Sequence, residues 1–497
     1  MTFANSAKNY AEKYTRTEKG AVALNTTDSA LLDLFATVGA LRGKDEADIV
    51  GAFKKAFQEE PLLATRLAFY ARDIRGGLGE RKTFRLFLKY LANEHPEIVR
   101  KNIALISHFG RWDDYYTLVG TPVEDVMWSH LKAQFAYDLY HALNEDGESI
   151  SLLAKWLKSV NTSSSTSRYL GRLTAKAFGM TERTYRKHLS LLRSYLDVVE
   201  TKMSKNAWDE IDYEKVPSLA MKNYRNAFVR HDEEGFIDYI TSVAKGEATI
   251  HASTLYPYDI LRAGRLRTSG WLNGYYKLDE DPVLEQQWKH LPDFVDGEHQ
   301  ALVMADTSGS MTCNNGLPIT TALGLALYFA ERNRGPFKDL FLTFSEQPEF
   351  VSLKGATLAE RIGNVRAIIS TTDLEAAFQL ILDMALSNNL PPEDLPQSLI
   401  IISDMQFDLA AGRDTDTFHV KMKDKFAREG YTLPTVIYWD VDSKKQTFQV
   451  NKDNPNVLLV SGHSTSVFKS VLGLVGKTPY DLMVDVLTNK RYQEIQV

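Results

Sequence analysis

ALVMADTSGSMT, residues 301–312, is the stretch on which the reading of this chain turns. An apolar run ends at Asp306, and Ser308 and Ser310 follow at alternate positions. A short segment that is apolar at every position is a strand buried on both faces, as in parallel sheets covered by helices. In an extended turn every second side chain points the same way, so Asp306, Ser308 and Ser310 share one side. Open α/β sheets bind ligands beyond the carboxyl ends of their strands, at a topological switch point. The same letters also make a good turn and helix cap. Taken alone, DTSGS fits both readings.

The sequence after 301 alternates apolar strands with helical stripes. Strands are expected at 339–345 (DLFLTFS), 398–404 (SLIIISD), 432–440 and 456–461, with 348–353 (PEFVSL) as an edge strand. Helices are expected at 316–333, 357–368, 373–388, 418–430, 464–475 and 478–490, the last folding back across the junction with the first half. This is the pattern of a doubly wound, Rossmann-like α/β domain. Asp404 closes SLIIISD, and Thr372 and Asp373 lie in the loop STTD between two helices. Asp306, Ser308, Ser310, Thr372 and Asp404 offer only oxygen donors. Such a set suits a hard cation, Mg2+ or Mn2+, and not zinc. Three separated loops supplying such donors tip the balance from cap to cation site.

With these motifs, residues 298–497 resemble a von Willebrand factor A domain with a metal-ion-dependent adhesion site. The resemblance implies that Ser308 and Ser310 coordinate the ion directly and that Asp306 and Asp404 hold its waters. Thr372 would be direct or water-mediated, the TD pair favouring it over Thr371. It further implies one open coordination position, filled by a carboxylate from a protein partner.

Residues 1–297 read as helix after helix. Phe84, Phe87, Leu88 and Leu91 recur at i, i+3, i+4 and i+7, and Leu189, Leu192, Leu196 and Val199 follow a similar spacing. Further helices are expected near 28–40, 45–58, 61–73, 96–108, 123–143, 150–159, 216–230 and 232–245. Short Gly-, Asp- and Ser-rich turns join them. The expectation is an all-α, HEAT-like repeat region in which 246–297 forms a connector with one helix near 283–290. Trp271, Tyr275 and Tyr276 would hold the two halves together.

The net charge of −6 excludes a basic coat or histone-like protein and leaves local patches open. Between 155 and 193, Lys155, Lys158, Arg168, Arg172, Lys176, Arg183, Arg186, Lys187 and Arg193 face Glu182 alone, with Trp156, Tyr169, Phe178 and Tyr185 interleaved. A second basic run holds Arg72, Arg75, Arg81, Lys82 and Arg85 against Asp73 and Glu80. Solvated helix faces explain either run, and aromatics at helical spacing are more often core. Basic residues beside Ser and Gly turns also suit a phosphate backbone. Residues from about 155 to 260, and TPYDLMVDVL at 478–487, resemble an uncharacterised family of plants, large DNA viruses and phages that joins a helical region to an A-type domain. That architecture is similar to the Ro (TROVE) ribonucleoprotein family, which implies binding of small or structured RNA.

Catalysis is not expected. Position 308 is Ser where Asp-x-Asp chemistry needs a second Asp, GLVGKT (473–478) lacks the first glycine of a phosphate loop, and GHSTS (462–466) lacks the last glycine of a nucleophile elbow. Cys313 is the only cysteine, so an intrachain disulfide and a Cys-based zinc site are both excluded, which fits a reducing, cytoplasmic setting. MTFANSAKNYAEKY lacks the apolar core of a signal peptide, and no run of 18 apolar residues exists to span a membrane. The sequence reading is a non-catalytic RNA-binding scaffold with a cation site. Its alternative is an assembly factor that grips an acidic residue of a client and binds no RNA.

Overall fold

The computed structural model describes residues 13–144, 149–269, 274–295, 297–344, 347–367, 373–408 and 417–497. The apolar runs of the second half form one six-stranded sheet. Its strands are β1 (Ala301–Asp306), β2 (Leu340–Phe344), β3 (Glu349–Ser352), β4 (Ser398–Ser403), β5 (Thr435–Asp440) and β6 (Val457–Ser461). Their order across the sheet is β6-β5-β4-β1-β2-β3. All neighbours are parallel except β2 and β3, an antiparallel pair that leaves the half-exposed β3 at the edge. β1, β4, β5 and β6 are buried along their whole length, as apolar strands covered on both faces must be.

The chain leaves β1 through the helix Cys313–Arg332 to reach β2 on one side. It returns through Leu374–Ser387 to place β4 on the other. The switch point therefore lies between β1 and β4. Their register pairs Ala305 with Ile402, which sets Asp306 beside Ser403 and Asp404 at one rim.

Helices occupy most of the first half where periodicity and caps agree. Ala30–Thr37, Glu46–Glu59, Pro61–Arg72, Arg81–Glu94, Glu124–Asn144, Ser218–His231 and Glu233–Lys245 lie within a few residues of expectation. Ser29, Ser164 and Thr181 accept from backbone N–H groups of their first turns, and Pro61, Pro96 and Pro257 open theirs.

Several expectations are corrected. The helix carrying Leu189 and Leu192 ends at Tyr195, because Asp197 takes a left-handed φ of 47°, and Val199 opens a separate helix. The expected helix at 96–108 is two, Pro96–Lys101 and Leu105–Phe109, and at 150–159 only Leu153–Trp156 is helical. Within 357–368 the helix stops at Ile362. Arg366–Ala367 instead pairs with the strand Gly274–Lys277 of the connector.

The first half is also not all-α. Tyr14–Arg16 and Val22–Leu24 form an antiparallel pair, and Leu24 exchanges backbone hydrogen bonds with Phe448 (2.7 and 3.0 Å). The first described residues are thus built into the α/β half.

The two halves share a core. Leu31, Phe35 and Val38 pack in one apolar cluster with Trp439, Leu458, Val460, Phe468, Leu482 and Tyr492. The opposite sheet face is filled by Met304, Ile401, Tyr438, Phe378 and Phe418. Val199, Tyr213, Phe228, Phe236 and Val283 form a separate cluster. The connector holds two helices, Pro257–Ala263 as well as Pro282–Lys289. It docks on Cys313–Arg332 through Trp288 Nε1 to Glu331 (2.6 Å) and Tyr328 Oη to Pro292 O (2.5 Å). Tyr276 is buried at this junction and Tyr275 is exposed, while Trp271 lies outside the described residues.

The helix Pro257–Ala263 touches the start of the helical half. Arg42 donates to Glu80 (2.7–3.0 Å) and to Tyr258 Oη (3.2 Å), and Tyr256 Oη donates to Leu78 O (3.2 Å). The C-terminal helix Pro479–Leu487 runs back to the first half, where Arg491 and Tyr492 reach the buried Asp73.

Candidate cation site and basic surface

At the rim between β1 and β4, Asp306 Oδ1 accepts from the backbone N–H of Ser308 (2.9 Å) and Oδ2 from Ser403 Oγ (2.5 Å). Ser308 Oγ lies 3.1 Å from Ser310 Oγ. Asp404 Oδ1 accepts from the N–H of Gln406 (3.3 Å). Asp306, Ser308 and Asp404 are completely buried, and Ser310 is half-buried. Burial first, and the neighbouring Asp404 carboxylate second, push the Asp306 carboxyl up to about 7. Two buried carboxylates at one point are costly unless a positive charge joins them.

The structure thus brings Asp306, Ser308, Ser310 and Asp404 together. Thr371 and Thr372 lie outside the described residues. Asp373 caps the following helix by accepting from Ala376 N–H (2.8 Å). Among the described residues no group of three or more His, Cys, Asp and Glu is arranged to hold a metal. The oxygen set here mixes two carboxylates with hydroxyls. That chemistry and the paired buried charge fit a hard divalent cation.

The sequence reading misses three groups around this rim. Lys444 Nζ lies 3.2 Å from Ser310 O, 3.5 Å from Asp404 Oδ2 and 4.0 Å from Asp442 Oδ2. Asp442 accepts from Asn314 Nδ2 (3.0 and 3.1 Å) and from Cys313 Sγ (3.2 Å). Asp440 is buried at the end of β5, and burial pushes its carboxyl well above the usual range. Asp440 was visible as another acidic strand end, but nothing local marks Lys444, which arrives from the loop after β5.

The proposed phosphate contacts separate by exposure. Arg75, Arg81, Lys82, Arg168, Arg172, Lys176, Arg183, Arg186 and Lys187 are exposed, and Lys155 and Lys158 are half-buried. Arg72 is corrected: it is 2% exposed and its Nε is bound to the buried Asp114 at 2.8 Å, so it cannot reach a nucleic acid. Arg193 is also tied down, donating to Ala154 O, Leu157 O and Ser159 Oγ. Phe178 and Tyr185 are core, and Trp156 lies under the Arg111 guanidinium, 4.0 Å from ring centroid to Cζ. Tyr169 is 60% exposed beside Arg168 and Arg172.

No helix among the described residues is long and apolar enough to cross a membrane. A solved structure, the RO (RSR) protein of Deinococcus radiodurans, covers 93% of this chain and 99% of its own. It does so at 14% identity and a TM-score of 0.33. Uncharacterized protein L728 of Acanthamoeba polyphaga mimivirus is 27% identical over 95% of this chain and 86% of its own length. Residues 300–492 match the domain of unknown function DUF7788. Residues 17–137 and 131–297 match the domain of unknown function DUF2828, and since this match spans more than half of the sequence, the chain belongs to the DUF2828 family.

Proposed function

We propose that this protein is a non-catalytic RNA-binding scaffold whose α/β half is a von Willebrand factor A-type domain with a divalent-cation site. The observation that carries the RNA reading is the surface of Ser165–Ala177 and Glu182–Tyr195. Arg168, Arg172, Lys176, Arg183, Arg186 and Lys187 all face solvent there. Glu182, the lone carboxylate of that stretch, answers only Arg172, at 3.1 Å. Such a surface neutralises phosphates without reading sequence. Tyr169 adds an exposed ring on which an unpaired base can stack.

In the α/β half, Asp306, Ser308, Ser310 and Asp404, with Thr372 from the third loop, would hold Mg2+ or Mn2+. The bound cation would supply a positive centre for an acidic group of a partner. Asp306 and Asp404 would keep its waters oriented, and Ser403 and the Ser308 N–H fix the Asp306 carboxylate for that task. Small oxygen ligands at a sheet's switch point support this reading.

The test is a titration of short single-stranded RNA at rising salt, with crosslinked peptides mapped. Affinity is expected to fall by orders of magnitude from low to moderate salt, with crosslinks in 165–195. No binding at low salt would remove the RNA reading. Mn2+-dependent capture of an acidic client would then favour the alternative. Asp306→Ala is expected to abolish cation binding and leave RNA affinity intact.

A further inference from the structure

Lys444 is the group at the cation rim that no part of the site reading requires. Its ammonium lies within 4.0 Å of both Asp404 and Asp442 and donates to Ser310 O. Its side chain is 28% exposed, so most of it is withdrawn from water. Its backbone is fixed from the other half of the molecule. Lys44 Nζ donates to Lys444 O, and the N–H of Ser443 donates to Ala40 O at 3.0 Å. The neighbouring Lys445 Nζ reaches Arg16 O at 2.5 Å. The loop is therefore held while the long, flexible side chain is free to swing about its stem.

A divalent ion bound by Asp404 and Ser310 would meet this ammonium at a few ångströms, where like charges repel strongly in a buried setting. From this we propose that Lys444 is a tethered cation that neutralises the rim carboxylates and must swing out before a divalent ion binds. The inference rests on the cation-site reading above. Lys444 is then a positioning residue that sets how tightly, and at what concentration, the site loads. Because Ala40 and Lys44 hold its loop, the movement is confined to the Lys444 side chain.

The test uses the full chain and Mn2+, with free ion followed by electron paramagnetic resonance. Lys444→Met keeps length and removes charge, and it is expected to bind Mn2+ at least about tenfold more tightly than the wild type. Lys444→Arg keeps the charge and is expected to stay within about threefold. Thermal melts without metal check that both variants fold. Equal or weaker binding by Lys444→Met overturns the proposal, as does a similar tightening by Lys444→Arg, which would implicate bulk and not charge. If neither wild type nor Lys444→Met binds Mn2+, the cation-site reading itself falls.

Discussion

Arg72 and Arg81 are nearly alike in sequence context and opposite in role. Both lie in one basic run, RDIRGGLGERKTFR. Arg72 ends its helix facing inward onto Asp114, and Arg81 begins the next helix facing water. Asp114 keeps Arg85 Nε (2.7 Å) and the Arg111 N–H (3.0 Å) when Arg72 is removed, so its charge is not left bare. Arg72→Ala, which empties a buried site and breaks one arm of this network, is expected to cost about 1–3 kcal/mol by thermal or denaturant unfolding. Arg81→Ala is expected to stay within about 0.5 kcal/mol, its effect appearing in RNA affinity. The rim residues follow the same division. Asp306, Ser308 and Asp404 were legible because strand ends announce themselves. Lys444 was not, because its role depends on where a loop lands.

At the scale of elements, long amphipathic stripes were read well and short ones poorly. Glu182–Tyr195 has Tyr185, Leu189 and Leu192 buried and Arg183, Arg186 and Lys187 opposite, so both its helicity and its polar face follow from spacing. Neutralising that face in Arg183→Gln, Arg186→Gln and Lys187→Gln together is expected to leave the melting temperature nearly unchanged. It should lower the slope of log affinity against log salt by roughly 2 for single-stranded RNA. An unchanged slope would move the interface elsewhere. The misread elements have separate causes. Arg366–Ala367 leaves the helical pattern because Gly274 and Tyr275 offer it a backbone partner from far back in the chain. The helix at 96–108 breaks because its stripe is too short to outweigh a turn.

At the scale of the molecule, the seam between the halves is set by close backbone approach and by charge. A methyl on Gly39 would sit 2.5 Å from Gly462 Cα and 2.8 Å from the Ser461 carbonyl carbon. Gly39→Ala must push two backbones apart, an overpacking expected to cost about 1–3 kcal/mol in thermal unfolding. The C-terminal segment is held at Asp73, which accepts from Arg491 Nη2 (2.8 Å) and Tyr492 Oη (3.0 Å). Burial works to raise the Asp73 carboxyl, but Arg491 and the backbone N–H groups of Arg75 and Gly76 outweigh it and hold it below its ordinary value. A depressed carboxyl stabilises the fold fully above its unfolded value, about pH 4, and loses that contribution as pH falls through the folded one. Hydrogen exchange of 479–497 is expected to accelerate as the pH drops below about 4, beyond its intrinsic change, and Asp73→Asn should remove that dependence.

Local pattern alone carries the strand–helix alternation, the polar rim at Asp306 and Asp404, and the basic face at 165–195. Each is written in local periodicity, which the backbone reads within a few residues. Long-range packing settles that residues 14–40 lie against the α/β half, that Arg72 is lost to solvent, and that Lys444 joins the rim. Those outcomes depend on which distant surfaces meet, and contact between residues tens to hundreds of positions apart leaves no local period to read.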